Sequence, residues 1–378
     1  MKEYSFVNPC ETLPTGSLVD RAVQVNNGLE ESAACGSTVV YDPAYGLVFL
    51  VYMTGMRTSY GESTGRICVS VFSPSQPTNV RFRRIDEGVG ATRGVLCGCA
   101  WRIGDAKIRI LFTTTRGRIA AYYRDYDFVT DTVSERTEVF LRVGGELLPT
   151  DNDSYTRLIA AQGFTGTNRE APCIINKPCV YNGKVYTALT VDGVYYPVLC
   201  TVEENVLEPF AFCPVKGTYE FRCYVDDSGI HGVFRDPVDD QGVAKTGYAY
   251  SGDWGKTWEA EIFADGIQSR PDILPYRGKP LIVYNYMSSR SHDGFPPMHN
   301  HRNSIRMLWD GRVILDSFEK YGIVEHTTVS IFGDLYMAFS TCEQALSVAS
   351  GTAWIEQGRP VEQGKEEIKW VKLGDLLA

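Results

Sequence analysis

Ser251-Gly252-Asp253-Trp254-Gly255-Lys256-Thr257-Trp258 reads Ser-x-Asp-x-Gly-x-Thr-Trp, between Tyr248-Ala249-Tyr250 and an alternating tail from Glu259 to Phe263. This is the chemistry of a β-hairpin turn that fastens itself. The short polar side chains of Ser251 and Asp253 can bond nearby backbone N–H groups, and Gly255 can take a positive φ. Thr257 and Trp258 open the next strand, and the indole gives a small turn something apolar to bury. A lone Asp-x-Gly would read as any hairpin loop. Five specified positions of eight, set between two strand-like segments, mark a particular turn of an all-β chain.

The rest of the chain repeats one plan around that turn: short strand candidates, tight turns, then a longer connection. The sets cover 36–88, 94–143, 173–213, 218–263, 269–318 and 324–378. Asn182-Gly183, Arg277-Gly278 and Gly333-Asp334 supply hairpin turns within them. The period of about fifty residues is that of four-stranded propeller blades. The reading is therefore an all-β, six-bladed β-propeller of four-stranded antiparallel blades, one domain over 1–378. The stretch 18–26 is the spare strand that closes the last blade, and 144–168 reads as an irregular rim loop. Helical periodicity is weak throughout.

Composition agrees and excludes some partners. Tyr 22, Phe 17 and Gly 36 favour strands joined by tight turns. A net charge of -9 argues against nucleic acid. There is no apolar run of the roughly 18 residues that a membrane span needs. The opening residues lack the apolar core of a secretory signal, so a cytoplasmic location is expected. The eleven cysteines mostly sit in apolar strand-like runs and read as buried free thiols. Cys97-Gly-Cys99 has the wrong spacing for a zinc knuckle, and the His292, His299 and His301 group lacks a tightly placed acidic ligand, so neither metal nor cofactor is expected.

The 251–258 pattern resembles the Asp box of sialidase-type β-propellers, where it marks the outer hairpin of a blade on the face away from the active site. The resemblance covers most of the chain as architecture and implies an enzyme acting on glycosides. Entry loops of the inner strands, and loops between second and third strands, converge on one end of a propeller channel. Polar residues at those places are Arg57, Glu62, Arg93, Arg116, Arg169 and Glu170 in the first half of the chain. In the second half they are Glu220, Arg235, Arg270, Asp272, Arg290, His301, Arg302, Glu325 and His326.

Residue by residue, Glu220 with Arg235 resembles the family's catalytic Glu and a carboxylate-binding Arg. Arg302-Asn303-Ser304-Ile305 resembles a second such Arg, and Met53-Thr54-Gly55-Met56-Arg57 a further one. Glu62 falls where the family carries its acid/base Asp; either acid can donate a proton to a leaving oxygen. Two departures stand out. Ala34-Cys35-Gly36-Ser37-Thr38 replaces the Arg-Ile-Pro-like start of the first blade, leaving Arg93 or Arg270 to complete the clamp. The family's nucleophilic Tyr aligns with His326, unless Tyr321 takes that place.

The resemblance thus implies a sialidase-like hydrolase of a carboxylate-bearing saccharide, with Glu62, Glu220 and His326 catalytic. Arg57, Arg235, Arg302, Arg270, Arg93 and His301 would bind the substrate. A histidine at that position also admits a uronate lyase with His326 as base, and the missing clamp Arg admits a propeller that only binds a sugar or a protein.

Overall fold

The computed structural model describes residues 2–4, 17–26, 33–55, 66–87, 95–114, 119–164, 173–191, 194–215, 219–235, 246–263, 270–286, 304–319, 322–342, 355–356, 359–360 and 367–377. The protein is an all-β propeller of antiparallel sheets. Ala33–Asp42, Leu47–Gly55, Arg66–Ser73 and Gln76–Asp86 form one sheet in chain order. Val95–Gly104, Lys107–Thr114, Ala121–Asp127 and Thr132–Val133 form the next. Lys184–Val191, Val194–Glu203 and Val206–Phe212 continue the ring, with Cys173–Ile175 and Cys179–Tyr181 sharing the inner edge. Tyr219–Asp226, Gly229–Arg235, Thr246–Ser251 and Glu259–Phe263 follow, then Asp272–Tyr276, Lys279–Asn285, Ser304–Trp309 and Arg312–Phe318. Finally Gly322–Ile331, Asp334–Cys342 and Glu367–Gly374 take Val23–Gln24 as an outer strand.

Apolar side chains at each seam hold neighbouring sheets together. Where the chain's two ends meet, Ile331, Tyr336 and Trp370 pack with Val39, Leu50 and Phe72. Phe72 meets Trp370 edge-on at 5.2 Å. The inner strand Ala33–Asp42 contacts both Val95–Gly104 and Gly322–Ile331, so the contacts run round a closed circle.

The turns behave as their residues dictate. Asn182-Gly183 and Arg277-Gly278 take positive φ at both positions, as a two-residue hairpin turn of matching twist requires. The turn expected at Gly333-Asp334 is centred on Phe332-Gly333 instead. In the 251–258 hairpin, Ser251 Oγ accepts from the Gly255 amide at 2.7 Å and donates to Asp253 Oδ1 at 2.9 Å. Asp253 also accepts from the Thr257 amide and hydroxyl, at 2.8 and 2.7 Å. Bonds from the Thr257 amide and then its hydroxyl hold the Asp253 carboxyl down to about 2. The indole of Trp258 donates to Gly255 O at 3.2 Å and meets Phe221 edge-on.

Three expectations need correction. The strand expected over 137–143 divides: Thr137–Glu138 pairs with Ala121–Asp127, but Phe140–Val143 crosses to lie parallel on Val206–Phe212. The expected rim loop holds a strand, Glu146–Pro149, and a helix, Asn152–Ala160. Asp151 caps that helix by accepting from the Ser154 amide, and Tyr155, Leu158 and Ile159 bury one face. A two-turn helix carries too few periodic positions to stand out in the sequence. The closing stretch near 18–26 is a helical turn, Leu18–Arg21, before its short strand. Lys2–Tyr4 additionally lies parallel to Glu259–Phe263.

Burial accounts for the thiols. Among the seven cysteines whose side chains are described, six are buried and all are free. Burial pushes Cys68 up to about 11 and Cys213 up to about 12, so neither is a ready nucleophile.

Gly232 shows how tightly a sheet is filled. A Cβ there would meet the Phe221 ring at 2.0 Å. Gly232→Ala is therefore expected to cost about 1–3 kcal/mol through forced repacking, read as a lower urea midpoint at unchanged slope.

His231, at the same end of this sheet as the 251–258 turn, gives a pH signature. Its Nε2 lies 2.8 Å from Ser228 Oγ and its Nδ1 2.8 Å from the Tyr248 hydroxyl. Burial holds the imidazole below its ordinary value of 6.5, against the opposing pull of Asp226. The folded chain therefore prefers neutral His231, while the unfolded chain takes up the proton first. Stability is full above about pH 6.5 and falls as pH drops towards the folded value. His231→Gln should flatten that slope in urea titrations across the window.

Candidate active site

Inner strands build the site at their starting ends. Tyr219 pairs with Arg235 but Arg222 with Val233, so Tyr219–Asp226 carries one extra residue there. Gly322–Ile331 does the same between Ile323 and His326. Such bulges re-aim side chains and recur beside functional sites. Glu220 lies inside the first of them with φ +51, a left-handed backbone that non-glycine residues adopt rarely.

That backbone turns the Glu220 carboxylate between two guanidiniums. Arg235 Nη1 donates to Oε2 at 3.0 Å and Arg270 Nη2 to Oε1 at 3.2 Å. Arg270 Nη1 in turn lies 3.8 Å from Glu325 Oε2. These four side chains are only 9–13 % exposed, so the charges interact through protein rather than bulk water. Arg235 ends the strand beside Glu220, whereas Arg270 and Glu325 come from the entries of the next two inner strands.

A second ionic group supports the first. Asp272 is fully buried and accepts from Lys177 Nζ at 3.1 and 3.0 Å and from the Thr328 amide at 2.6 Å. Arg222 Nη1 sits 3.2 Å from Asp272 Oδ1 and donates to the His326 carbonyl at 3.0 Å. Burial alone would raise the Asp272 carboxyl, but the Lys177 and Arg222 charges outweigh it and hold it below the usual carboxylate range. This network ties 177, 222, 272 and 326–328 into one block beneath the Glu220 site.

The structure thus brings together Glu220, Arg235 and Arg270 from the expected set, with Glu325. His326 is fully buried, its carbonyl engaged by Arg222. Glu62, Arg57, Arg93, His301 and Arg302 lie outside the described residues. Lys177 and Arg222 were not singled out from the sequence. Lys177 stands before Pro178 in a break between two short strands, a weak signal that only ring closure turns into a contact. Among the described residues no group of three His, Cys, Asp or Glu side chains converges as a metal site would need.

No family model and no curated protein matches the sequence. Solved structures do. The chain resembles Trypanosoma rangeli sialidase in complex with sialic acid, with TM-score 0.54 and 9% identity over 99% of this chain and 60% of that one. It also resembles the NanB sialidase from Streptococcus pneumoniae, with TM-score 0.53 and 10% identity over 95% of this chain and 70% of that one. A Dyadobacter fermentans protein of unknown function matches with TM-score 0.55 and 12% identity, over 93% and 98% of the two chains. The chain spans 60% of the length of the trypanosomal sialidase it matches. At such identities the likeness is one of fold: the chain has the β-propeller architecture of these structures.

Proposed function

We propose that this protein is a sialidase-like glycoside hydrolase that releases a carboxylate-bearing sugar, a sialoside or uronoside residue, from a small saccharide. The observation that supports this is Glu220, set in a left-handed backbone on a bulge and gripped by Arg235 and Arg270. In the proposed reaction Glu62 gives its proton to the leaving oxygen as the anomeric C–O bond breaks. Water then adds its hydroxyl to the anomeric carbon and returns a proton to Glu62. The Glu220 carboxylate faces the positive charge that develops on the sugar ring, a fixed charge needing no reorganisation. Arg235 and Arg270, with Arg57 and Arg302, hold the substrate carboxylate, so that Arg270 stands in for the absent clamp arginine of the first sheet. The same reading takes the sheets as six blades, the last closed by Val23–Gln24, with 251–258 as an Asp box.

His326 is fully buried, so the proposed hydrolysis assigns it no catalytic step, whereas a lyase would need it as an accessible base. The test is the mass of the products from a panel of sialosides and uronosides. Hydrolysis adds one water on cleavage. Cleavage without water, leaving an unsaturated uronate, would establish the lyase; sugar binding without turnover would leave a binding propeller.

A further inference from the structure

The 251–258 hairpin carries two tryptophans with opposite fates. Trp258 packs inward and serves the turn, while Trp254 is 41% exposed at the tip. Trp254 also takes φ +60, a backbone that bulky residues avoid and that glycine would accept freely. The backbone conformation there therefore gains nothing from an indole. The tip is held rigidly: a Cβ on Gly255 would meet the Ala211 Cβ at 2.3 Å, so the hairpin is pressed onto the neighbouring sheet.

Trp254 does not stand alone. Its ring centroid lies 6.4 Å from Tyr181 and 6.2 Å from Tyr186, which is buried beneath the patch and meets Phe210 at 5.8 Å. Phe210 is 37% exposed and Val180, beside Tyr181, 57%. The rim is polar: the Tyr181 hydroxyl bonds Asp227 and faces the Asn182 side chain. The patch lies across the seam between two sheets, at the end opposite Glu220, because the turns at 182–183, 227–228 and 252–255 all lie at the far end of strands.

We propose that this aromatic row is a second saccharide-binding site, taking a neutral hexopyranose ring of a larger glycan. Ring faces stack on the C–H face of a pyranose, while Asp227 and Asn182 bond its edge hydroxyls. Size decides against a protein partner. An aromatic side chain offers about 150–250 Å² when fully buried, and those here are less than half exposed. The open apolar area is thus far below the roughly 800 Å² per partner of a stable protein interface. Charge selects the sugar: the Asp227 carboxylate at the rim disfavours an anionic ring.

The test uses native affinity gels containing a soluble glucan or galactomannan, with saturation-transfer NMR on methyl hexopyranosides. Trp254→Gly relieves the backbone while giving up the ring's contacts with Tyr181 and Tyr186, so its folding is checked by its urea midpoint. It is expected to bind about tenfold more weakly, with Trp254→Phe intermediate. The Glu220→Gln variant should be retarded like the parent, which separates this site from the reading of the catalytic one. Equal retardation of parent and Trp254→Gly, or no response to any of these sugars, would overturn the proposal. So would concentration-dependent self-association that Trp254→Gly abolishes.

Discussion

Asp272→Asn is expected to lower the free energy of unfolding by about 3–5 kcal/mol, the scale for breaking a buried ion pair at one partner. Asparagine keeps the volume but not the charge that Lys177 and Arg222 share at 3.0 and 3.2 Å. Arg222 would stay buried, and Lys177 at 15% exposure mostly so, both facing a neutral amide. Equilibrium urea unfolding at neutral pH measures the loss. Acid titration supplies an independent signature. The folded carboxyl lies below its ordinary value, so its stabilisation is present above about pH 4 and is lost as pH falls towards the folded value. The Asn variant should lack that component, giving a flatter acid limb. Lys177→Met in the Asn background should recover part of the loss, because removing the second charge relieves what the first substitution created. A loss below about 1 kcal/mol would mean that water reaches the network and screens it.

The same cluster marks the boundary of what the sequence reveals. Turn chemistry is local: Ser251, Asp253 and Gly255 act within a few residues of one another, and Asn182-Gly183 states its own φ values. Glu220 and Arg235 are also readable, because a single hairpin brings positions fifteen apart face to face. Arg270 against Glu220 is another matter. Its partner comes from the preceding sheet, and the contact depends on a bulge and a left-handed residue that no motif announces. Lys177, Arg222, Asp272 and Thr328 meet only when the ring closes, so their spacings of 45, 50 and 56 residues mean nothing beforehand. The crossing of Phe140–Val143 to the next sheet failed to show for a related reason. An alternating strand next to Thr137–Glu138 looks the same whichever edge it joins.

Glu220→Gln is expected to reduce kcat by about 10²–10⁴-fold on the substrate that the product panel identifies. The amide keeps the shape of the side chain but removes the charge that the proposed reaction sets opposite the developing oxocarbenium ion. Its thermal midpoint should shift far less than that of Asp272→Asn, since Glu220 retains 13% exposure and Asp272 none. Arg235→Lys and Arg270→Lys divide the remaining roles. A lysine keeps the charge but loses the planar fork that can serve a carboxylate on two sides. If Arg235 and Arg270 grip the substrate anion, each change raises KM strongly, and neutral-sugar analogues escape the effect. If they serve only to aim Glu220, kcat falls with KM unchanged, for charged and neutral substrates alike. Either pattern keeps Glu220 at the centre of the site. A Glu220→Gln enzyme with parental kcat would remove it, and the two guanidiniums and the backbone strain around it would then need a structural cause.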